Sequence, residues 1–138
     1  MQNYSQYVAF FLRLEEILNT KTFKIDDSII ICSETRSGST WLMEMLACIP
    51  DTMINWEPLH PEFGVIPSEL KWGDRPFIPQ DNTNPLFIEL MSQLLTLELF
   101  SPWTLKYNRI NNALGATKVL TKFVRANLLL PWIVKNYI

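Results

Sequence analysis

The spacing of apolar residues along the first third of the chain predicts helices and a strand in alternation. Between residues 5 and 19 the apolar positions recur at helical intervals, which predicts an amphipathic helix. Ser28–Ser33 is a short, continuously apolar run, typical of a strand buried on both faces of a parallel sheet. The next run, 39–49, carries only the charge of Glu44, so we expect a helix that is covered nearly all round.

The rest of the chain continues this alternation. We expect a strand at 52–56, a helix from 85 to about 100, a helix from 102 to 115, a strand at 116–124 and a helix over 127–138. Asn84 and Ser101 each precede a proline, and such pairs are typical of a helix cap and first turn. Strands that alternate with helices predict an α/β fold, a parallel sheet flanked by helices.

The segment 58–85 is the exception to this regular pattern. It holds six of the nine prolines, so we expect an irregular segment, and loops of this length are usually binding loops, lids or disordered. Its aromatic residues, together with Trp56 just before it, favour a packed loop. Trp56, Trp72 and Phe77 are also candidates for an acceptor pocket, although ordinary core packing is the favoured account of them.

Composition indicates one globular domain over residues 1–138. The chain is 48% hydrophobic and 19% charged, which excludes a disordered protein. Twelve Lys+Arg against fourteen Asp+Glu give a net charge of −2, which argues against a nucleic-acid partner held through its phosphates. An anionic small molecule needs only a few local positive groups.

The cysteines and the apolar runs bear on the compartment. Cys32 and Cys48 lack CxxC spacing and the chain has one histidine, so we expect buried thiols rather than a zinc site or a disulfide. No run resembles a signal peptide or a membrane-spanning helix. These observations favour the cytoplasm and leave the Golgi lumen open.

The stretch "TRSGSTWL" lies where the strand Ser28–Ser33 passes into the next helix. The first amides of a helix lack internal partners and attract anions. Gly38 allows close backbone approach, and Arg36 supplies a planar cationic fork suited to oxyanions. Hydroxyl donors follow from Ser37, Ser39 and Thr40. The junction therefore predicts an anion-binding loop.

The nucleotide P-loop, G-x-x-x-x-G-K-[ST], provides the nearest comparison. Gly38 and Thr40 match it, but Ser33 replaces its first glycine and Ser39 replaces its lysine. A cation stands at Arg36 instead. The loop keeps the anion-binding pattern without the lysine of ATPases.

This loop resembles the 5′-phosphosulfate loop of sulfotransferases, roughly [KR]-[ST]-G-[ST]-[ST]. The resemblance implies a P-loop NTPase-like fold and transfer of a sulfuryl group from 3′-phosphoadenosine 5′-phosphosulfate (PAPS) to a hydroxyl or amine, with no metal. Arg36 falls on the family's catalytic cation. The other matching cofactor-binding positions are Ser37, Gly38, Ser39, Thr40 and Trp41.

Two further segments are similar to the same family. "WEPLH" resembles an element of carbohydrate sulfotransferases, which implies a carbohydrate acceptor. It makes Glu57 the first candidate for the catalytic base, and His60 is the alternative. "TKFVRANLLLPWI" resembles the passage before the second cofactor motif. It indicates that Lys122 and Arg125 either hold the cofactor's charge or face water at a strand end.

The family's second signature, R-D-P-x-x-x-x-x-S, is expected after Ile138, and the order of Asp74, Arg75 and Pro76 does not replace it. The resemblance therefore implies the N-terminal part of a sulfotransferase domain. Whether this chain alone is active, which acceptor it takes and its oligomeric state stay open. The alternatives are an NTP-dependent kinase and a non-catalytic anion-binding remnant.

Overall fold

The computed structural model describes residues 2–138, and these form one three-stranded sheet flanked by α-helices. The strands are β1 (Ser28–Ser33), β2 (Thr52–Trp56) and β3 (Lys118–Val124). The helices are α1 (Gln2–Leu18), α2 (Ser39–Leu46), α3 (Pro85–Leu95), α4 (Pro102–Leu105), α5 (Ile110–Gly115) and α6 (Leu130–Tyr137). The predicted α/β class with a parallel sheet flanked by helices is confirmed.

The sheet has the order β1-β3-β2 and all its strands are parallel. Ser28 lies opposite Val119, and Thr52 lies opposite Lys118. Parallel neighbours need a crossover connection, and α2 supplies the one from β1 to β2 while packing on β1 and β3. The carboxyl ends of all three strands therefore meet at one edge of the sheet, where the loops after them can form a site.

The central strand β3 separates two layers of core. Alternate side chains point to opposite faces, so Leu120 packs with Met43 beneath α2, whereas Phe123 packs with Trp132 of α6 on the other face. Lys122 shares the face of Leu120. A charged side chain is thus carried into the layer between the sheet and α2.

The predicted helix over 102–115 is wrong, because the chain breaks into α4 and α5. The break is held by Asn108, which is buried between the two. Its Oδ1 accepts the N–H of Ile54 at 2.7 Å, and its Nδ2 donates to the carbonyl of Ile54 at 2.7 Å. The side chain therefore pairs with the outer edge of β2 like a neighbouring strand. Local sequence patterns cannot show a bond across 54 residues.

The other element limits shift by smaller amounts. α2 ends three residues before residue 49, and α3 ends at Leu95 because Thr96 closes the helix. β3 begins at Lys118 and α6 at Leu130, each two or three residues later than predicted. The caps at Asn84 and Ser101 are present: Asn84 accepts from Leu86 at 3.0 Å, and Ser101 accepts from Thr104 at 3.3 Å.

Burial around β1 and α2 is lower than predicted. β1 is an edge strand that is only partly buried on both faces, apart from Ile31. α2 is not covered all round, since Trp41 is 66% exposed and Met45 is 52% exposed. Cys48 is exposed as well, against the prediction of a buried thiol. The physical reason is that α2 covers the sheet with one face, and no described element packs on its outer face.

Between Trp56 and Pro85 the chain forms one short 3-10 turn, Ser68–Leu70, and is otherwise irregular. Among residues 2–138 no helix is both long and apolar enough to cross a membrane.

Candidate functional site

A cavity of about 180 Å³ lies at the carboxyl ends of the strands, and we call it the cradle cavity. The predicted site residues that line it are Arg36, Gly38, Ser39, Thr40, Glu57, His60 and Arg125. Lys122 from β3 lines it too. Segments far apart in sequence therefore meet here as the parallel topology requires.

Two predicted loop residues do not line the cradle cavity. Ser37 and Trp41 line a separate, wider cavity beside β1, whereas Gly38 and Ser39 line both. The loop is thus divided between the two sides of the α2 N-terminus. Trp41 in particular is not brought to the charged side of the loop.

Three charged residues that line the cavity, one after each strand, have a left-handed backbone conformation. The φ angles are 59° at Arg36, 40° at Glu57 and 68° at Arg125. This conformation costs a non-glycine residue about 1–2 kcal/mol. Such strain persists where the surrounding structure enforces it, and it clusters at functional sites. Gly38, which caps α2 at φ 82°, adopts the same region without that cost.

A buried ion pair forms the floor of the cradle cavity. Lys122 Nζ lies 2.8 Å from Glu57 Oε1 and 3.3 Å from the hydroxyl of Thr40. The side chains are 3% and 18% exposed, so the interpretation of Lys122 as a strand-end residue facing water is wrong. Its ammonium also lies 3.8 Å from the ring centroid of Trp56. Within the described chain, Oε2 of Glu57 makes no hydrogen bond.

The sequence reasoning missed this pairing, although a signal for it exists. Trp56 and Lys122 are opposite each other in the β2–β3 register, and Glu57 directly follows Trp56. The backbone N–H of Glu57 continues the ladder by donating to the carbonyl of Lys122 at 3.0 Å. Knowledge that β2 pairs with β3 would have brought the positions of Glu57 and Lys122 together. The direction of the Glu57 side chain depends in addition on its left-handed φ of 40°, which breaks the alternation of the strand.

The rim of the cradle cavity is cationic. Arg36 is exposed, and its guanidinium makes no ion pair with any described residue. Arg125 pairs with Asp74 at 3.0 Å, a contact that leaves the Asp74 side chain 60% exposed. Among the lining residues Arg36, Lys122 and Arg125 face a single carboxylate, that of Glu57. An excess of positive charge at a helix N-terminus is suited to an anion.

His60 is held in one tautomer by its own turn. Its Nδ1 accepts the backbone N–H of Glu62 at 3.2 Å and of Phe63 at 3.1 Å. A nitrogen that accepts these bonds carries no proton, so the proton of the neutral ring is on Nε2. The ring also stacks on Phe63 with centroids 5.0 Å apart. In this arrangement Nε2–H is the ring group of His60 that its own turn leaves available to donate a hydrogen bond.

The irregular segment is tied to the cradle cavity by two ion pairs. Asp74 binds Arg125, and Arg75 binds Glu34 at 3.1 Å. Glu34 follows β1 and also accepts from Asn127 at 2.9 Å. Asp74 and Arg75, which do not match the second cofactor signature, thus connect the irregular segment to the chain just after β1 and β3.

Lys106, just after α4, does not line the cradle cavity, but its pKa depends on the charges of Glu57 and Lys122. Burial lowers the pKa of Lys106, the nearby Glu57 carboxylate raises it, and the Lys122 ammonium lowers it. The ammonium lies 3.3 Å from the ring centroid of Trp103 and 5.1 Å from that of Trp56. Trp56 therefore lies between two lysines.

The three aromatic residues considered for an acceptor pocket lie in different environments. Trp56 is buried beside Tyr107, with ring centroids 4.4 Å apart. Trp72 packs edge-to-face on Phe87, and Phe77 is 67% exposed. Of the three, Trp72 alone lines a cavity that also touches His60.

In the described part of the chain no three His, Cys, Asp or Glu side chains are grouped to hold a metal ion. Cys32 is partly buried, and this burial raises the pKa of its thiol to about 11. No protein-family model matches the chain, and no curated protein or solved structure matches it either. The sulfotransferase resemblance therefore stays a prediction, which rests on the loop motifs and on the residues of this cavity.

Proposed function

We propose that this chain binds the phosphosulfate end of PAPS in the cradle cavity and carries the donor side of a sulfotransferase active site. The acceptor is a hydroxyl group, with carbohydrate as the expected class. The observation that carries the proposal is the convergence of Arg36, Lys122 and Arg125 on the N-terminus of α2.

The residues of the cradle cavity fit the anionic end of such a donor. Lys122 and Arg125 are paired with Glu57 and Asp74, which leaves the charge of Arg36 uncompensated, and the α2 amides and the hydroxyl of Thr40 add neutral donors. Arg36 has no ion-pair partner in the described chain, so its planar fork is free to take a bidentate oxyanion. The donor supplies an activated sulfuryl group, and the volume of about 180 Å³ suits that end of the molecule alone.

Charge stabilisation is the main task in this reaction. The bond from sulfur to the acceptor oxygen forms while the bond from sulfur to the phosphate oxygen breaks. Negative charge grows on the leaving phosphate, and preorganised cations stabilise it. Arg36 and Lys122 take this role because both line the cavity beside the α2 N-terminus.

Glu57 is the proposed base for the acceptor proton. Its Oε1 is engaged by Lys122 at 2.8 Å, which fixes the orientation of the carboxylate. Its Oε2 is unpaired within the described chain and can accept a proton. His60 is not assigned this role, because Nε2, the nitrogen not held by the backbone, carries the proton.

The test is a calorimetric titration with 3′-phosphoadenosine 5′-phosphate and with PAPS, and Mg·ATP as the competing ligand. We expect both adenosine ligands to bind and Arg36→Ala to weaken them about tenfold or more, the loss typical of a charge-assisted hydrogen bond. Arg13→Ala is the matched control, since Arg13 is an exposed arginine on α1 that pairs only with Glu16.

The alternative functions give different results in the same titration. Binding of Mg·ATP in preference to PAPS would assign the chain to the kinases. Arg36-dependent binding without sulfuryl transfer to any acceptor hydroxyl would make it an anion-binding module. No binding by a folded chain would refute the proposal.

A further inference from the structure

A second cavity of about 180 Å³ lies within the irregular segment, and we call it the loop cavity. One wall is formed by the turn after β2, which includes His60, and the other by residues 66–76. His60 lines both this cavity and the cradle cavity. The two cavities therefore meet at His60, whose Nε2–H is not held by the hydrogen bonds of its own turn.

The lining of the loop cavity combines apolar faces with polar groups. Trp72 supplies an aromatic surface, and the rings of Pro61, Pro67 and Pro76 supply rigid C–H surfaces. The polar side chains are Ser68, Lys71 and His60. A ring with C–H faces and hydroxyl edges, as in a sugar, fits such a lining, because aromatic faces take the C–H surface while donors take the hydroxyls.

The size of the loop cavity limits its occupant. Sites that enclose a drug-sized ligand measure about 300–1,000 Å³, so a cavity of this volume takes one ring rather than a whole oligosaccharide. The backbone around it is held in unusual conformations, with φ 49° at Lys71 and 64° at Gly73. Strained backbone of this kind is found at ligand clamps.

The loop cavity is also fixed in place against the cradle cavity. Trp72 is supported edge-to-face by Phe87 of α3, with ring centroids 5.6 Å apart. Directly after Gly73, Asp74 and Arg75 form the ion pairs to Arg125 and Glu34. The wall of one cavity is therefore tied to the rim of the other.

We propose that the loop cavity is the acceptor subsite, which takes one hydroxylated sugar ring against Trp72, and that His60 Nε2–H positions a hydroxyl of that ring at the boundary of the two cavities. This inference rests on the proposed function for its catalytic meaning. The binding of the ring stands on the geometry of the loop cavity alone. His60 is here a positioning residue, since Glu57 takes the proton.

The experiment is saturation-transfer NMR of the whole chain with methyl glucoside and methyl galactoside as probes, and phenol as the planar competitor. We expect saturation to pass from the protein to a methyl hexoside. This ligand signal should fall about fivefold or more in Trp72→Ala, because one stacking contact is lost. Phe77→Ala is the matched control, because Phe77 is an exposed aromatic of the same segment outside the loop cavity. Its signal should not change.

If Trp72→Ala does not fold, as judged by circular dichroism, Ser68→Ala and Lys71→Gln replace it. Both positions are exposed and line the loop cavity. Each substitution should weaken the saturation-transfer signal of the hexoside about fivefold, as for the loss of one hydrogen bond. Hexoside signals that persist in these variants, no signal from either hexoside, or displacement by phenol would each overturn the proposal.

A pair of substitutions tests the role of His60 separately from its structural contacts. His60→Gln offers an amide N–H near the position of Nε2, whereas His60→Asn offers an acceptor near the position of Nδ1 only. We expect His60→Gln to keep most of the saturation-transfer signal of the hexoside. In His60→Asn this signal should fall about fivefold. The reverse order would show that His60 acts only through its turn.

The outcomes separate this inference from the proposed function. Arg36→Ala should weaken donor binding about tenfold or more and leave the saturation-transfer signal of the hexosides unchanged. Hexoside binding without binding of 3′-phosphoadenosine 5′-phosphate would keep the subsite and reject the donor assignment. Donor binding without hexoside binding would do the opposite.

Discussion

The cradle cavity and the loop cavity have the same volume, about 180 Å³, and share His60, but they are built in opposite ways. The cradle cavity is charged and placed on the ends of paired strands, so its geometry follows from the sheet. The loop cavity is lined by prolines and an indole and placed on irregular chain. Under the proposed function, such a scaffold would keep the group-transfer chemistry on the sheet and would let the loop sequence select the acceptor.

The largest effect is expected from removing the cation beneath the cradle cavity. Lys122→Met leaves Glu57 partly buried without its partner, and breaking a buried pair in this way costs about 3–5 kcal/mol. We expect a fall of about 3 kcal/mol in the free energy of unfolding by urea denaturation. The exposed part of Glu57 places the expected loss at the lower end.

The same variant should weaken binding of 3′-phosphoadenosine 5′-phosphate. Lys118→Met is the control, because Lys118 lies at the start of the same strand and away from the cradle cavity. Full stability together with unchanged binding in Lys122→Met would show that the floor of the cavity contributes neither structure nor charge.

A smaller loss is expected at Gly64, where the two cavities depend on one turn. The N–H of Gly64 donates to the carbonyl of His60 at 2.8 Å, and an added Cβ would clash with the carbonyl oxygens of Pro58 and His60. Gly64→Ala should destabilise the protein by about 1–3 kcal/mol, as overpacking does. It should also weaken both ligands, because His60 lines both cavities.

Gly73→Ala is the comparison for Gly64→Ala. An added Cβ at Gly73 meets nothing within 4 Å, although φ there is 64°. We expect it to cost about 1–2 kcal/mol from backbone strain alone and to leave donor binding unchanged. Equal loss of donor binding in the two variants would show that the turn of His60 has no specific role in donor binding at the cradle cavity.

Much of the regular half of this comparison was predictable from sequence, since apolar runs placed β1 and β2 and the caps at Asn84 and Ser101 placed the starts of α3 and α4. The strand–loop–helix junction around Arg36 and Gly38 was predictable because its sequence signals are local, and anion binding by this loop stays a prediction. Long-range pairing was not predictable. Asn108 divides a helix by bonding to Ile54, and Lys122 meets Glu57 across 65 residues.

Burial was the other quantity that sequence did not provide. An apolar helix predicts a covered helix only if something is placed on each face, and α2 has the sheet on one face alone. This explains why Met45 and Cys48 are exposed. β1, with a sequence typical of a central strand, likewise forms an edge, because no described strand pairs with its outer side.

The strain at the strand ends predicts an effect of about 1 kcal/mol. Arg36 has φ 59°, so a glycine there avoids the cost that alanine keeps. Arg36→Gly should be more stable than Arg36→Ala by about 1 kcal/mol in urea denaturation, and both should lose donor binding. Equal stability of the two variants would mean that the loop relaxes when the side chain is removed, and that the strain is not built into the fold.

The smallest effect is a change of pKa at Lys106, which tests whether the field of the cradle cavity reaches beyond its walls. The Glu57 carboxylate raises the pKa of Lys106 and the Lys122 ammonium lowers it. Glu57→Gln should therefore lower the pKa of Lys106, and Lys122→Met should raise it, as followed by NMR of ¹³C-methylated lysine. Trp72→Phe, a change in the loop cavity, should leave the pKa of Lys106 unchanged.

Because burial already lowers the pKa of Lys106, the folded chain binds this proton less tightly than the unfolded chain. The free energy of unfolding therefore gains from this group as the pH rises from the folded pKa towards 10.5. Shifts of the same sign in Glu57→Gln and Lys122→Met would mean that repacking of the Trp56 and Trp103 rings, rather than charge, controls Lys106, and that the ion pair of the cradle cavity exerts no electrostatic effect beyond its walls.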